Sequence, residues 1–185
     1  MNTKDNLGGG TAKTVFASII SRYQDPDGDL GISDEGWEIA AKFLGNAHNI
    51  ADGEDAVGSV IDGTYPMDEH WASGVLTEQK DRDYKFQIMT PDIGEPYVVE
   101  SLAISAGTKK YDTCVAFLNW LGSSDVQLDW SNNYGTIPCQ KEALDQVSDD
   151  IKELMETLKP QDLDWSFIAE NVDAWVEKAE LEYVQ

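Results

Sequence analysis

The run Tyr97-Val98-Val99-Glu100-Ser101-Leu102-Ala103-Ile104 decides how this chain is read. Two valines, an isoleucine and an aromatic residue lie between Pro96 and Gly107, which predicts the strongest strand in the sequence. Everything after it is helical in pattern. Asp112 is placed to cap a helix carrying Val115, Phe117, Leu118 and Leu121, closed by Gly122. Ser124 and Gln127 have the capping-box spacing for the next helix, which ends by Gly135. Ser148 is placed to cap a helix over residues 149–159, and Pro160 terminates it. Trp165, Ile168, Val172, Trp175 and Ala179 then fall at alternating steps of three and four, one apolar stripe on a long final helix.

Upstream the pattern is mixed. Residues 11–23 carry Val15, Phe16, Ile19 and Ile20 at helical spacing, directly after Gly8-Gly9-Gly10. Asp25-Pro26-Asp27-Gly28-Asp29 predicts a break. A second helix over about residues 34–45 carries Trp37, Ala40, Phe43 and Leu44, and a short third one near 54–61 ends at Gly63. Thr64-Tyr65-Pro66-Met67 and Tyr84-Lys85-Phe86-Gln87-Ile88-Met89 read as strands, with a helix from near Ser73 between them. The class is therefore α/β. Three or four strands are too few for a complete doubly wound domain, and the late apolar stripes have no later strands to cover. The pattern predicts one portion of a larger architecture.

Composition narrows the function. The chain has 185 residues, enough for one full domain or two small ones, and 41% hydrophobic with 10% aromatic residues supply a core. A net charge of −22 argues against non-specific nucleic-acid binding and against docking on anionic lipid. An ordinary aromatic content argues against reading that charge as a salt adaptation. Two cysteines are too few for a disulfide scaffold, and a bridge between Cys114 and Cys139 stays open. No run approaches the roughly 20 apolar residues of a membrane span. The start, Met1-Asn2-Thr3-Lys4-Asp5-Asn6, lacks the apolar centre of a secretory signal, so residue content alone predicts a soluble cytosolic chain.

Few motifs carry chemistry. Gly9, Gly10 and Thr11 open a helix, where unpaired N–H groups and the helix dipole favour an anion; a loose leader followed by an ordinary Thr cap reads equally well. Lys13-Thr14 is not a nucleotide P-loop, because Ala12 and Leu7 stand where glycines are required. Asp25, Asp27 and Asp29 do not make a calcium loop, since Leu30 and Gly36 occupy its glycine and glutamate positions. His48 and His70 are the only histidines, and neither sits in a metal-binding cluster. No nucleophile elbow is present, so no catalytic residue, metal or cofactor is expected. Asp68-Glu69-His70-Trp71 lies at a strand-to-helix turn of the kind that lines ligand clefts, with burial of Trp71 in the core as the competing reading.

Several of these features recur together in one known family. Residues 99–105 lead into Tyr111-Asp112-Thr113-Cys114-Val115-Ala116-Phe117-Leu118-Asn119-Trp120-Leu121, then Ser123-Ser124-Asp125-Val126-Gln127 and Asn133-Tyr134-Gly135-Thr136-Ile137-Pro138. This succession resembles the C-terminal portion of extracellular solute-binding proteins of ABC importers, of the type 2 periplasmic-binding fold. Gly10-Thr11 resembles that family's ligand-contacting loop, with Gly9 in place of its usual serine. Gly36-Trp37 with Leu44 and Asn46 resembles a further helix of the family. Asp164-Trp165 and the last helix resemble the subgroup for ferric iron, thiamine and phosphorylated solutes, although its paired tyrosines are not evident near Tyr134.

The resemblance implies a helix-rich portion of that fold. Residues 1–94 would form a second-lobe α/β region, and 95–185 a crossing strand with C-terminal helices of the first lobe. It implies a small, anionic solute as ligand, an ABC permease as partner and a periplasmic or extracellular setting. Gly9, Gly10, Thr11, His70, Trp71, Glu95 and Tyr97 become the ligand-binding candidates. The alternative is a non-catalytic assembly module, pairing its helices in a homodimer or with a separate N-terminal half.

Overall fold

The computed structural model describes residues 7–51 and 53–184; the polar start at 1–6 lies outside the described residues. In chain order the elements are α1 (Gly10–Ile20), a 3-10 turn (Ser21–Tyr23), β1 (Gln24–Asp29), α2 (Asp34–Gly45), α3 (Ala56–Ile61), α4 (Ala72–Arg82), α5 (Tyr111–Leu121), α6 (Ser124–Tyr134), α7 (Lys141–Leu144), α8 (Asp149–Thr157) and α9 (Trp165–Glu182). They form two compact units. One runs to His70 and resumes at Gln161; the other is Trp71–Pro160.

In the first unit, α1, α2 and α9 pack on one another. Phe16, Ile20, Ala40, Trp175 and Ala179 are fully buried, together with Leu7 and Ile32, and Trp37 and Ile168 are nearly so. Each large side chain of this kind contributes about 1.5–3 kcal/mol through burial. The indole N–H groups of Trp175 and Trp37 donate to the carbonyls of Leu30 (2.9 Å) and Asp29 (3.0 Å), so the cluster grips the turn after β1. That turn uses left-handed backbone at Leu30 and Gly31. Gly36 lets α2 start close to the chain before it, since a Cβ there would come within 2.6 Å of the Tyr23 Cβ. Ser33 caps α2 through the Gly36 N–H, and Asp164 caps α9 through the N–H groups of Ser166 and Phe167.

Two expectations change here. The acidic run at 25–29 is not merely a break: it is β1, folded back so that Gln24 and Asp29 each bridge Ile32. The stripe of α9 also does not wait for a sheet. Ile168, Trp175 and Ala179 are covered by helices of the same unit, while Trp165 stands 44% exposed.

The second unit is built from α4 to α8 around Ala143, Val147, Ile151 and Leu154. Gly135 ends α6 in the left-handed conformation, close against the Ser73 carbonyl and Leu76 of α4. The expected caps are not made as drawn. Lys110 holds the position before α5, leaving Asp112 in its first turn. Ser123, not Ser124, precedes α6, and the Gln127 amide instead donates to the Leu121 carbonyl. Cys114 and Cys139 are free thiols.

The chain is helix-rich, as expected, but it carries little of the sheet that the α/β reading implied. Among the described residues, β1 is the one strand; the predicted strands at 64–67, 84–89 and 97–104 do not form. The parallel bridge between Glu95 and Pro160 is the nearest approach to a sheet in the second unit. A strand exists only through a neighbouring strand that takes its N–H and C=O groups, and among the described residues these segments have no such partner. Val98, Val99 and Leu102 are 62%, 70% and 60% exposed.

Candidate functional site

The residues singled out from sequence fall on both units, and each unit's share stands by itself. In the first unit, Gly9 precedes α1 with extended backbone, and Gly10 and Thr11 are its first residues. No side chain caps this end and its first turn holds no acid, although Gly9's carbonyl already accepts from Lys13. The N–H groups of the first turn therefore lack intrahelical partners. Among the described residues, a Cβ built on Gly10 would meet nothing within 4 Å. The loop before it is held by Glu180 of α9, which accepts from the Leu7 N–H at 3.3 Å. Lys13 is turned to Asp173, 3.1 Å away, and so is engaged with α9.

His70 ends the first unit. Its Nδ1 lies 3.5 Å from Asp68 Oδ2, with both side chains largely buried. Between them Glu69 carries a buried Oε2 with no hydrogen-bond donor among the described residues. Burial, and then the charge of Asp68, push the Glu69 carboxyl above its ordinary range. Three titratable groups thus sit together immediately before α4. Sequence reasoning selected His70 and passed over Glu69; its signal is the orphaned oxygen, which no pattern of residues reveals.

In the second unit, the Trp71 carbonyl accepts from Val75 as α4 begins, and its indole is 56% exposed rather than tucked into the core. Glu95 and Tyr97 lie beside the end of α8. The Glu95 N–H donates to the Lys159 carbonyl at 2.8 Å, and Glu95 Oε2 accepts from the Lys159 N–H at 2.9 Å. Its other oxygen, Oε1, is buried without a hydrogen bond. Burial, reinforced by the Glu95 charge, raises the Tyr97 phenol above its usual value. The structure therefore brings Glu95 and Tyr97 together, with the Glu95 oxygen as an acceptor still to be filled.

A further cluster has no counterpart in the sequence reading. His48 stacks on Tyr65 at 4.7 Å, and both reach Glu54, at 3.0 Å and 3.2 Å. The Ala51 N–H also donates to Glu54, which holds this carboxyl below its ordinary range. The residues are scattered over three turns, so no spacing announces them. A groove of about 410 Å³ opens between Asp29, Asp34, Trp37, Lys178 and Tyr183. It contains none of the expected residues. Lys178 lies 5.1 Å above the Trp37 ring and bonds Asp29 and Glu182, so the groove is a clasp between β1, α2 and α9. Among the described residues no group of three or more potential metal ligands gathers, and no helix is long and apolar enough to cross a membrane.

In the first unit the start of α1 offers backbone donors; in the second, Trp71 presents an exposed indole and Glu95 a buried oxygen without a hydrogen bond. Comparison with known proteins points the same way. The model of a family described as bacterial extracellular solute-binding protein matches residues 5–159. A protein of Sinorhizobium fredii (strain NBRC 101917 / NGR234), described as a probable ABC transporter periplasmic-binding protein, is 33% identical over 175 residues. That match covers 95% of this chain but 48% of the relative, so the chain spans about half the length of the curated relative it matches. No solved structure matches. The chain belongs to the family of bacterial extracellular solute-binding proteins.

Proposed function

We propose that this chain is the substrate-binding component of an ABC importer, or the C-terminal half of one, and that it holds a small anionic solute between two lobes. The observation that supports this most is the start of α1, which has no side-chain cap among the described residues. Gly9, Gly10 and Thr11 present N–H groups and a hydroxyl where the helix dipole favours negative charge. Trp71 and His70 hold the body of the solute, and Glu95 and Tyr97 accept from and donate to its hydroxyls. Against a net charge of −22, these short-range donors must outweigh the long-range field. In this reading residues 1–94 belong to the second lobe. Residues 95–185 carry the crossing segment and the first lobe's C-terminal helices, with α9 folded back on α1 and α2. The subgroup for iron, thiamine and phosphorylated solutes is part of the proposal, as are the permease partner and the periplasmic setting. That setting replaces the cytosolic one read from residue content, in line with the family's extracellular description.

Isothermal titration with phosphosugars, carboxylates and polyamines tests it. Heat with a phosphosugar or carboxylate, reduced in Gly10→Ala, is the expected result; no heat from a folded chain across all three classes refutes autonomous binding. A second reading, an assembly module that binds no solute alone, is favoured by the exposed aromatic side chains of α5. Light scattering separates the two, since a monodisperse monomer argues against compulsory pairing.

A further inference from the structure

The glycine run before α1 is held from both sides by one helix. Gly8 and Gly10 are exposed and Gly9 is half-buried, whereas Leu7, just ahead of them, is fully buried in the α1, α2 and α9 cluster. The Leu7 N–H donates to Glu180 Oε1 at 3.3 Å. On the far side of the run, the Lys13 N–H donates to the Gly9 carbonyl at 2.9 Å, and Lys13 Nζ lies 3.1 Å from Asp173 Oδ1. Asp173 and Glu180 both belong to α9, two turns apart on one face. Helix α9 therefore presents one carboxylate to each end of the run.

Glycine loses more conformational freedom on ordering than any other residue. An unanchored Gly8-Gly9-Gly10 would spread over many conformers, and only a fraction of them would aim the first N–H groups of α1 together; affinity falls by that fraction. Burial of the Leu7 side chain fixes where the run begins, and Glu180 fixes the orientation of the peptide it begins from. The Glu180 charge acts the other way, since a carboxylate beside the start of α1 repels an anion. We propose that Glu180 is a positioning residue: by accepting from the Leu7 N–H it orders Gly8, Gly9 and Gly10, so that the first N–H groups of α1 meet an anionic solute together. This rests on the reading of the start of α1 as an anion site. The family match over residues 5–159 takes in that start but not α9, so the assignment adds a residue from outside the matched span.

Amide NMR of the 185-residue chain tests the two parts separately. Without ligand, the order parameters of Gly8, Gly9 and Gly10 lie at about 0.8 or above, as in rigid backbone, and fall below about 0.6 in Glu180→Ala. Glu180→Gln keeps an oxygen that accepts from Leu7, so its glycines stay rigid. Unchanged shifts over the rest of α1 and α9 report a folded chain in each variant. Inorganic phosphate is then titrated and read from the Gly9, Gly10 and Thr11 amides. Its dissociation constant rises about tenfold in Glu180→Ala, and is equal or lower in Glu180→Gln, which keeps the bond and sheds the charge. Asp164→Ala removes the cap at the opposite end of α9 and lowers stability, yet changes neither glycine order nor phosphate affinity. Mobile glycines in the unaltered chain, rigid ones in Glu180→Ala, or equal loosening in Asp164→Ala overturns the proposal. Glu180→Gln behaving like Glu180→Ala, or an unchanged phosphate constant in Glu180→Ala, overturns it equally. Glycines that loosen in Glu180→Ala alone, with phosphate shifts in none of the proteins, uphold the ordering by Glu180 and refute the anion reading.

Discussion

Replacing Trp175 by alanine removes the largest fully buried side chain in the molecule. Its ring packs 5.3 Å from Phe167 and its N–H donates to the Leu30 carbonyl. Truncation deletes the indole, leaves a cavity within the α1, α2 and α9 cluster, and strands that carbonyl. Large-to-small changes of this type cost about 3–5 kcal/mol, against total stabilities of about 5–15 kcal/mol. With a urea dependence of about 2 kcal/mol per molar, the midpoint falls by roughly 2 M. Trp175→Phe keeps most of the volume and loses the hydrogen bond, so it costs about 1–2 kcal/mol. Trp165 lies on the same helix and in the same sequence stripe, yet it is 44% exposed. Trp165→Ala therefore costs about 1 kcal/mol or less. Urea unfolding followed by circular dichroism measures all three. A Trp175→Ala shift below about 0.5 M, or equal shifts for Trp165 and Trp175, would refute the packing of α9 on α1 and α2.

Other tests bear on single features. Asp164→Ala removes the two-bond cap of α9 and lowers stability by about 1 kcal/mol in the same urea series. Glu69 binds its proton more tightly folded than unfolded, so its contribution is complete below the ordinary carboxylate range and is lost as pH rises through its raised value. Glu69→Gln flattens the fall in melting temperature over that window and leaves the protein more stable at neutral pH; an unchanged pH slope contradicts the assignment. Gly10→Ala adds a methyl group into open space, so it raises stability by about 0.4–1 kcal/mol while weakening solute binding by about tenfold in calorimetry. Trp71→Ala abolishes solute heat in the same calorimetric titration, because its indole, 56% exposed, is the surface offered to the body of the solute.

What the sequence made legible was local, and what it hid was relational. The apolar spacing of Val15, Phe16, Ile19 and Ile20 located α1, and the steps from Ile168 to Ala179 located the buried face of α9, since both are set by 3.6-residue geometry. The same arithmetic placed Trp165 in the stripe, but the start of a helix reaches past the partner that covers its middle. Caps were read to within a residue or two, because Ser, Thr and Asp near a helix start compete for neighbouring N–H groups. Glu69 and the meeting of His48, Tyr65 and Glu54 had no local signal, because burial and long contacts arise only when loops converge.

The strands failed for a related reason. Strand propensity measures how well a residue fits a pleated, half-buried surface, not whether such a surface exists. Valines at 98 and 99 satisfy the first condition and find no second strand, so they are left at 62% and 70% exposure. A helix closes its hydrogen bonds within itself, which is why α5 persists beside them although none of its residues is fully buried. Among the described residues the expected helices therefore form, and apart from β1 the strands do not. The residues most in conflict with their surroundings, Val98, Val99, Phe117 and Trp120, are those whose local preferences presuppose a partner.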